Sequence, residues 1–196
     1  MKKSFAIIAL MVSILFSSQA TYASEWTLDK AHTQVKFKVK HLTVANVWGE
    51  FHTFDGKVVY DPSNPDAASV NVSVDINSID TGNESRDGHL KSEDFFYTEK
   101  YPNMTFVSKK IVKSGNGLKL VGDLTIRGVT KEVTLDVEGP TGPVMMMGTE
   151  KIAATATGKI NRTDFGLNWN KAIETGGLIV SKKVNILLEV ELNKAG

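Results

Sequence analysis

The 196 residues contain no cysteine. Disulfides, thiolate nucleophiles, Fe–S clusters, thiolate-bound zinc and a lipid-modified N-terminal cysteine are therefore all excluded. Surplus charge is missing too: 23 Lys and Arg stand against 22 Asp and Glu, a formal +1. A protein that grips nucleic acid through its phosphates needs a basic excess, so that partner class drops out. No Gly-x-Ser-x-Gly elbow, phosphate-cradling glycine loop or dinucleotide fingerprint occurs, and the expectation is a protein that is not an enzyme. Arginine is the scarcest charged residue, with three, at 86, 127 and 162, beside 20 lysines.

What is present begins with an address. Lys2 and Lys3, the apolar run Phe5 to Phe16 and the small residues around Ala23 have the three-part layout of a secretory signal. Its roughly 12 apolar residues are too few to span a bilayer, which needs about 20. The expectation is cleavage after Ala23, loss of residues 1–23 and a single exported periplasmic domain over 24–196.

That domain is ruled by a period of two. Val35, Phe37 and Val39 alternate with Lys36, Lys38 and Lys40, so one face is apolar and the other a lysine row. The alternation returns around residues 54–60, 70–76, 104–106, 118–126, 133–137, 152–160 and 184–192, which makes eight candidate strands. Turn signals separate them at 61–65, 114–117, 127–128 and 139–143. Between Ser78 and Pro102 the pattern breaks. Thr81 and Glu84 have capping-box spacing, which predicts a short helix over 83–90 and a second turn from Ser92, with Phe95 and Phe96 facing the core. Eight antiparallel strands with one helix plugging or flanking an end predict an all-β barrel, wide enough for packed side chains or one small ligand.

Strand parity assigns the interior. Phe37, Val39, Phe54, Val58, Val74, Ile76, Phe106, Leu124, Ile126, Ala154, Ile186 and Leu188 are candidate ligand contacts, together with Trp48 and Trp169, and with Met146 on the rim. Lys36, Lys38 and Lys119 face outward, whereas small inward residues such as Gly122, Ala154, Ala156 and Gly158 favour a hollow interior. The three arginines sit in compact polar motifs, and a guanidinium pairs bidentately with carboxylate or phosphate. Arg86 and Arg162 are expected to form structural ion pairs with Asp80, Asp87 or Asp164; the sharper alternative places Arg86, with His89, at a ligand head group. His32, His41, His52 and His89 show no metal-ligand spacing, so no metal site is expected. The run Met145 to Met147 suits adaptable apolar packing at the rim better than a Cu(I) site.

The chain also resembles the YceI family. The resemblance is carried by Trp26-Thr-Leu-Asp29, His32, His41, Gly49-Glu-Phe51 and Phe54-Asp-Gly56. It continues in Ser78-Ile-Asp-Thr81, the stretch Arg86-Asp-Gly-His89-Leu90 to Phe95, Tyr101-Pro102, Gly122 to Lys131, and Asn161-Arg-Thr-Asp-Phe-Gly166. It implies a lipocalin-like barrel that binds polyisoprenoid chains such as quinone tails or prenyl phosphates, without implying a reaction. The Gly-x-Trp of true lipocalins is absent, and Val144 to Gly148 departs from the family pattern. The expected function is a carrier of one isoprenoid lipid, with no other cofactor. The alternatives are an accessory presenting quinone to a membrane electron-transfer chain, with transient membrane or cytochrome contact, and a ligand-free stress protein. A homodimer is left open by the sequence.

Overall fold

The computed structural model describes residues 23–61, 63–115, 117–172 and 178–195. Apart from Ala23, the expected signal segment lies outside the described residues. In chain order the strands are β1 (Ser24–Leu28), β2 (Gln34–His41), β3 (Ala45–Phe51), β4 (Phe54–Tyr60), β5 (Ser69–Asp75) and β6 (Ile79–Asp80). After helix α1 (Glu84–Lys91) come β7 (Asn103–Ser114), β8 (Gly117–Ile126), β9 (Val129–Met146), β10 (Thr149–Asn161) and β11 (Val180–Lys194). The order β1-β4-β5-β7-β8-β9-β10-β11 closes on itself through β1 and β11, giving the expected eight-stranded antiparallel barrel.

Three staves of this barrel are broken. β1 and β2 both pair with β11, β1 through Leu28↔Leu192 and β2 through Gln34↔Glu189, so they are the two halves of one bent stave. β4 pairs with β1 and β3 with β2; β5 pairs with β4 and β6 with β3. The breaks fall at residues 29–33, 52–53 and 76–78. The expected strand at 35–39 is therefore only the second half of the first stave. Its first half, Ser24–Leu28, is too short to display an alternation.

One turn expectation is overturned. Gly139-Pro-Thr-Gly-Pro143 does not turn the chain; β9 runs through it, and the register against β10 slips twice between Thr155 and Lys151. Proline cannot donate to the ladder, so the strand bulges at each Gly-Pro. Gly139 and Gly142 accept the left-handed φ of +99° and +110° that the bulges require. The turn comes later, at Met147-Gly148, where both residues have positive φ as a two-residue hairpin demands.

The segment 81–102 closes one end. Helix α1 is capped by Asn83, whose side chain accepts from the Arg86 N–H, rather than by Thr81. Thr81 instead ties the helix to the chain before it. Its N–H and Oγ1 donate to Asp87, and its Oγ1 and carbonyl accept from Arg86 Nε and Nη2, each at 2.7 Å. The expected second helical turn at Ser92 is a series of tight turns, with Phe95 and Tyr97 N–H groups both on the Ser92 carbonyl. Phe95 and Phe96 still face inward. Phe95 packs with Ile126, Phe165 and Leu167, while Phe96 packs beside Phe51, Ile76 and Ile79. At the opposite end Trp26, Val58, Ile152 and Leu192 form a second plug.

Candidate functional site

Between the two plugs lies an internal cavity of about 310 Å3 whose walls come from all eight staves and from the 81–102 segment. The lining is apolar apart from Thr33, Lys36, Tyr60, Thr105 and Arg162. Its volume sits at the lower end of the roughly 300–1,000 Å3 of typical ligand sites. Of the residues placed inside by parity, Phe37, Val39, Phe54, Val58, Val74, Phe106, Leu124, Ile126, Ala154, Ile186 and Leu188 do line it. Leu90, Phe95, Phe96, Ile111, Leu120 and Leu135 join them.

Four predicted contacts are not there. Ile76 is fully buried in a 3-10 turn and packs behind the wall with Phe51 and Ile79, without itself lining the cavity. Trp48 is 49% exposed on the outer face with the Lys38 ammonium over its ring. Trp169, in the loop after β10, packs on Phe95 and His89 rather than in the lining. Met146 and its neighbours stand in solvent on the β9–β10 hairpin, with Met147 99% exposed, so the run packs against no rim. The small-residue argument also needs revision. The ring of Phe106 lies over Gly122 and Leu135 lies over Gly158, at distances a Cβ would not permit, so those glycines seat large side chains. Ala154 and Ala156 alone of the four leave space to the cavity. Lys36 also lines the wall, and its ammonium donates to Gln34 at 2.7 Å.

Neither head-group candidate reaches the cavity lining. Arg86 is exposed and among the described residues its side chain bonds only Thr81; the expected ion pair to Asp80 or Asp87 does not form. His89 Nε2 lies 2.9 Å from Asp94, its ring edge-on to Phe95 and Trp169, and serves to fix the plug. Arg127 does more for that plug than its turn position suggests: Nη1 donates to the carbonyls of Glu93 and Phe95 at 2.9 and 2.6 Å. Of the two charged residues in the lining, Lys36 and Arg162, Arg162 is the buried one. It forms no ion pair with Asp164; its guanidinium donates to the carbonyls of Ser181, Leu167 and Val180. The signal for it was available, because Ile152, Ala154, Ala156, Gly158 and Ile160 are the inward set of β10 and Arg162 is the next even residue.

Tertiary contact also brings carboxylates to two histidines that sequence spacing left isolated. Asp29, His32 and Glu191 converge, as do Glu50, His52 and Asp80, where β3 and β6 pair through Glu50↔Asp80. The first cluster already holds a cation: Lys151 Nζ donates to Asp29 at 2.6 Å and to Glu191 at 2.7 Å. That ammonium, followed by the His32 contact, holds the Asp29 carboxyl well below the usual carboxylate range, and the carboxylates of Asp29 and then Glu191 raise Lys151 in return. In the second cluster, the Gly82 N–H and then His52 lower Asp80.

The chain is a closed eight-stranded antiparallel β-barrel around an apolar cavity. It belongs to the YceI family, whose YceI-like domain model matches residues 26–192. A UPF0312 protein of Staphylococcus aureus is 40% identical over 87% of this chain and 98% of its own length. The YCEI protein of Campylobacter jejuni is likewise 40% identical over 87% of this chain and 98% of that one, with a TM-score of 0.68. BcnA of Burkholderia cenocepacia superimposes at 0.73 with 26% identity, over 84% of this chain and 98% of its own. A polyisoprenoid-binding domain from Saccharophagus degradans, 15% identical at a TM-score of 0.61 over 89% of this chain and 100% of that one, shares the fold.

Proposed function

We propose that this protein is a periplasmic carrier that sequesters one long apolar isoprenoid lipid, of the quinone or prenyl phosphate type, without catalysis. The observation that carries the reading is the cavity, enclosed by apolar side chains from every stave. At about 25 cal/mol per Å2, an isoprenoid that hides several hundred Å2 of apolar surface gains several kcal/mol on leaving water. A fold neighbour named for polyisoprenoid binding is consistent with such a ligand, and the signal-like residues 1–23 are what support export. The lining holds no carboxylate and no histidine among the described residues, which favours binding over acid–base chemistry.

The test is extraction. Protein purified from its native host is expected to release a lipid with a polyprenyl chain into organic solvent, detected by mass spectrometry. Ala154→Trp, which fills the space beside Ala156, is expected to abolish the extracted lipid while leaving a cooperative melt. Extracts without lipid from well-folded wild-type protein, together with no uptake of added polyprenyl lipid, would replace the carrier reading with a purely structural one.

A further inference from the structure

The cavity wall includes a buried positive charge, Arg162, that among the described residues has no opposite charge beside it. Arg162 is 5% exposed. Its Nε donates to the Ser181 carbonyl at 3.0 Å, Nη2 to Val180 at 3.3 Å, and Nη1 to Leu167. All three acceptors are neutral, and among the described residues no carboxylate lies within ion-pairing reach of it. A guanidinium carries five N–H donors, so one on each terminal nitrogen lacks a protein acceptor among the described residues. Phe95 of the end plug lies 6.0 Å away, which places this charge at the plugged end of the cavity.

A buried charge left without a counter-charge is strongly unfavourable. The desolvation shows as a downward push on the Arg162 pKa with no opposing cause. The three carbonyls hold the group in place without neutralising it. Lysine is the common cation of this chain, yet the wall has the planar fork that binds carboxylate and phosphate bidentately.

We propose that Arg162 is the head-group receptor of the cavity, pairing with the anionic oxygens of a long-chain lipid, a carboxylate or a phosphate, whose tail runs past Ala156 and Ala154 toward the Trp26 plug. The proposal rests on the carrier reading and adds to it a ligand polarity and an orientation. A neutral lipid leaves Arg162 uncompensated, so an anionic head group is selected over its uncharged analogue.

The experiment uses the mature protein stripped of endogenous lipid and two probe pairs: cis-parinaric acid with its methyl ester, and farnesyl monophosphate with farnesol. At pH 7 the charged member of at least one pair is expected to bind about tenfold or more tightly than its neutral partner. The pair that shows the larger ratio identifies the head group as carboxylate or phosphate. Arg162→Met is expected to erase the ratio, and Arg162→Lys to keep part of it. Equal binding of charged and neutral probes by the wild type overturns the receptor and leaves the carrier reading standing. A ratio that survives Arg162→Met also overturns it. Binding of no probe overturns both readings. Should Arg162→Met fail to fold, the wild-type ratio and Arg162→Lys decide.

Discussion

At the scale of single residues, the charges of this barrel divide by what surrounds them. Asp29, mostly buried at the first stave break, is held ionised by Lys151, whereas the equally conspicuous Arg86 lies in water on neutral acceptors. Because Asp29 titrates lower when folded than when unfolded, its contribution is complete above the ordinary carboxylate pKa of about 4 and is lost as pH falls below it. Lys151 is raised, so its share is complete below the ordinary lysine value of about 10.4 and fades only at stronger alkali. Asp29→Asn is therefore expected to lower Tm at pH 7 by roughly 5 °C and to flatten the fall in Tm below about pH 4, as followed by circular dichroism. Such pairings were illegible in the sequence, since Asp29 and Lys151 are distant in the chain and meet only through β1, β10 and β11. Arg162 was legible by parity, but expecting arginine to seek carboxylate obscured it.

At the scale of elements, alternation located most of the wall, and its failures have definite causes. β3 hides its period because in Asn46-Val-Trp-Gly-Glu50 the large Trp48 is exposed on the face it shares with Asn46 and Glu50 while Gly49 is buried, and β6 because two residues cannot show a period. The Gly-Pro bulges mimic a turn, since the residues that end strands are also those that let a strand slip register. Helix α1 was placed within a residue at each end, but its fastening lies elsewhere: Arg127 reaches from the β8–β9 turn to the carbonyls of 93 and 95. Arg127→Ala is expected to lower stability by about 1–3 kcal/mol in urea titration, and to open residues 92–101 to limited proteolysis. Arg86→Ala, which removes exposed bonds, is expected to cost about 1 kcal/mol or less. A larger loss at Arg86 than at Arg127 would show that the plug is fastened through Thr81.

At the scale of the whole molecule, the closure of eight staves was foreseen and the segmentation of three of them was not, because a break in a strand looks in sequence like the end of one. The three breaks, at 29–33, 52–53 and 76–78, sit side by side on neighbouring staves, while the other five staves are each a single strand. One consequence concerns how the barrel opens in its native state. Irregular backbone across three adjacent staves separates β2, β3 and β6 from β1, β4 and β5 in the hydrogen-bond ladder, so cooperativity is weakest along that line. The molecule should then possess two opening free energies instead of one. Native-state amide exchange is expected to release β2, β3 and β6 at lower denaturant than β8, whose ladder to β9 runs from Leu118 to Ile126 without a slip. Exchange of all these amides in a single step would mean that β11, which spans the line, binds both halves into one unit.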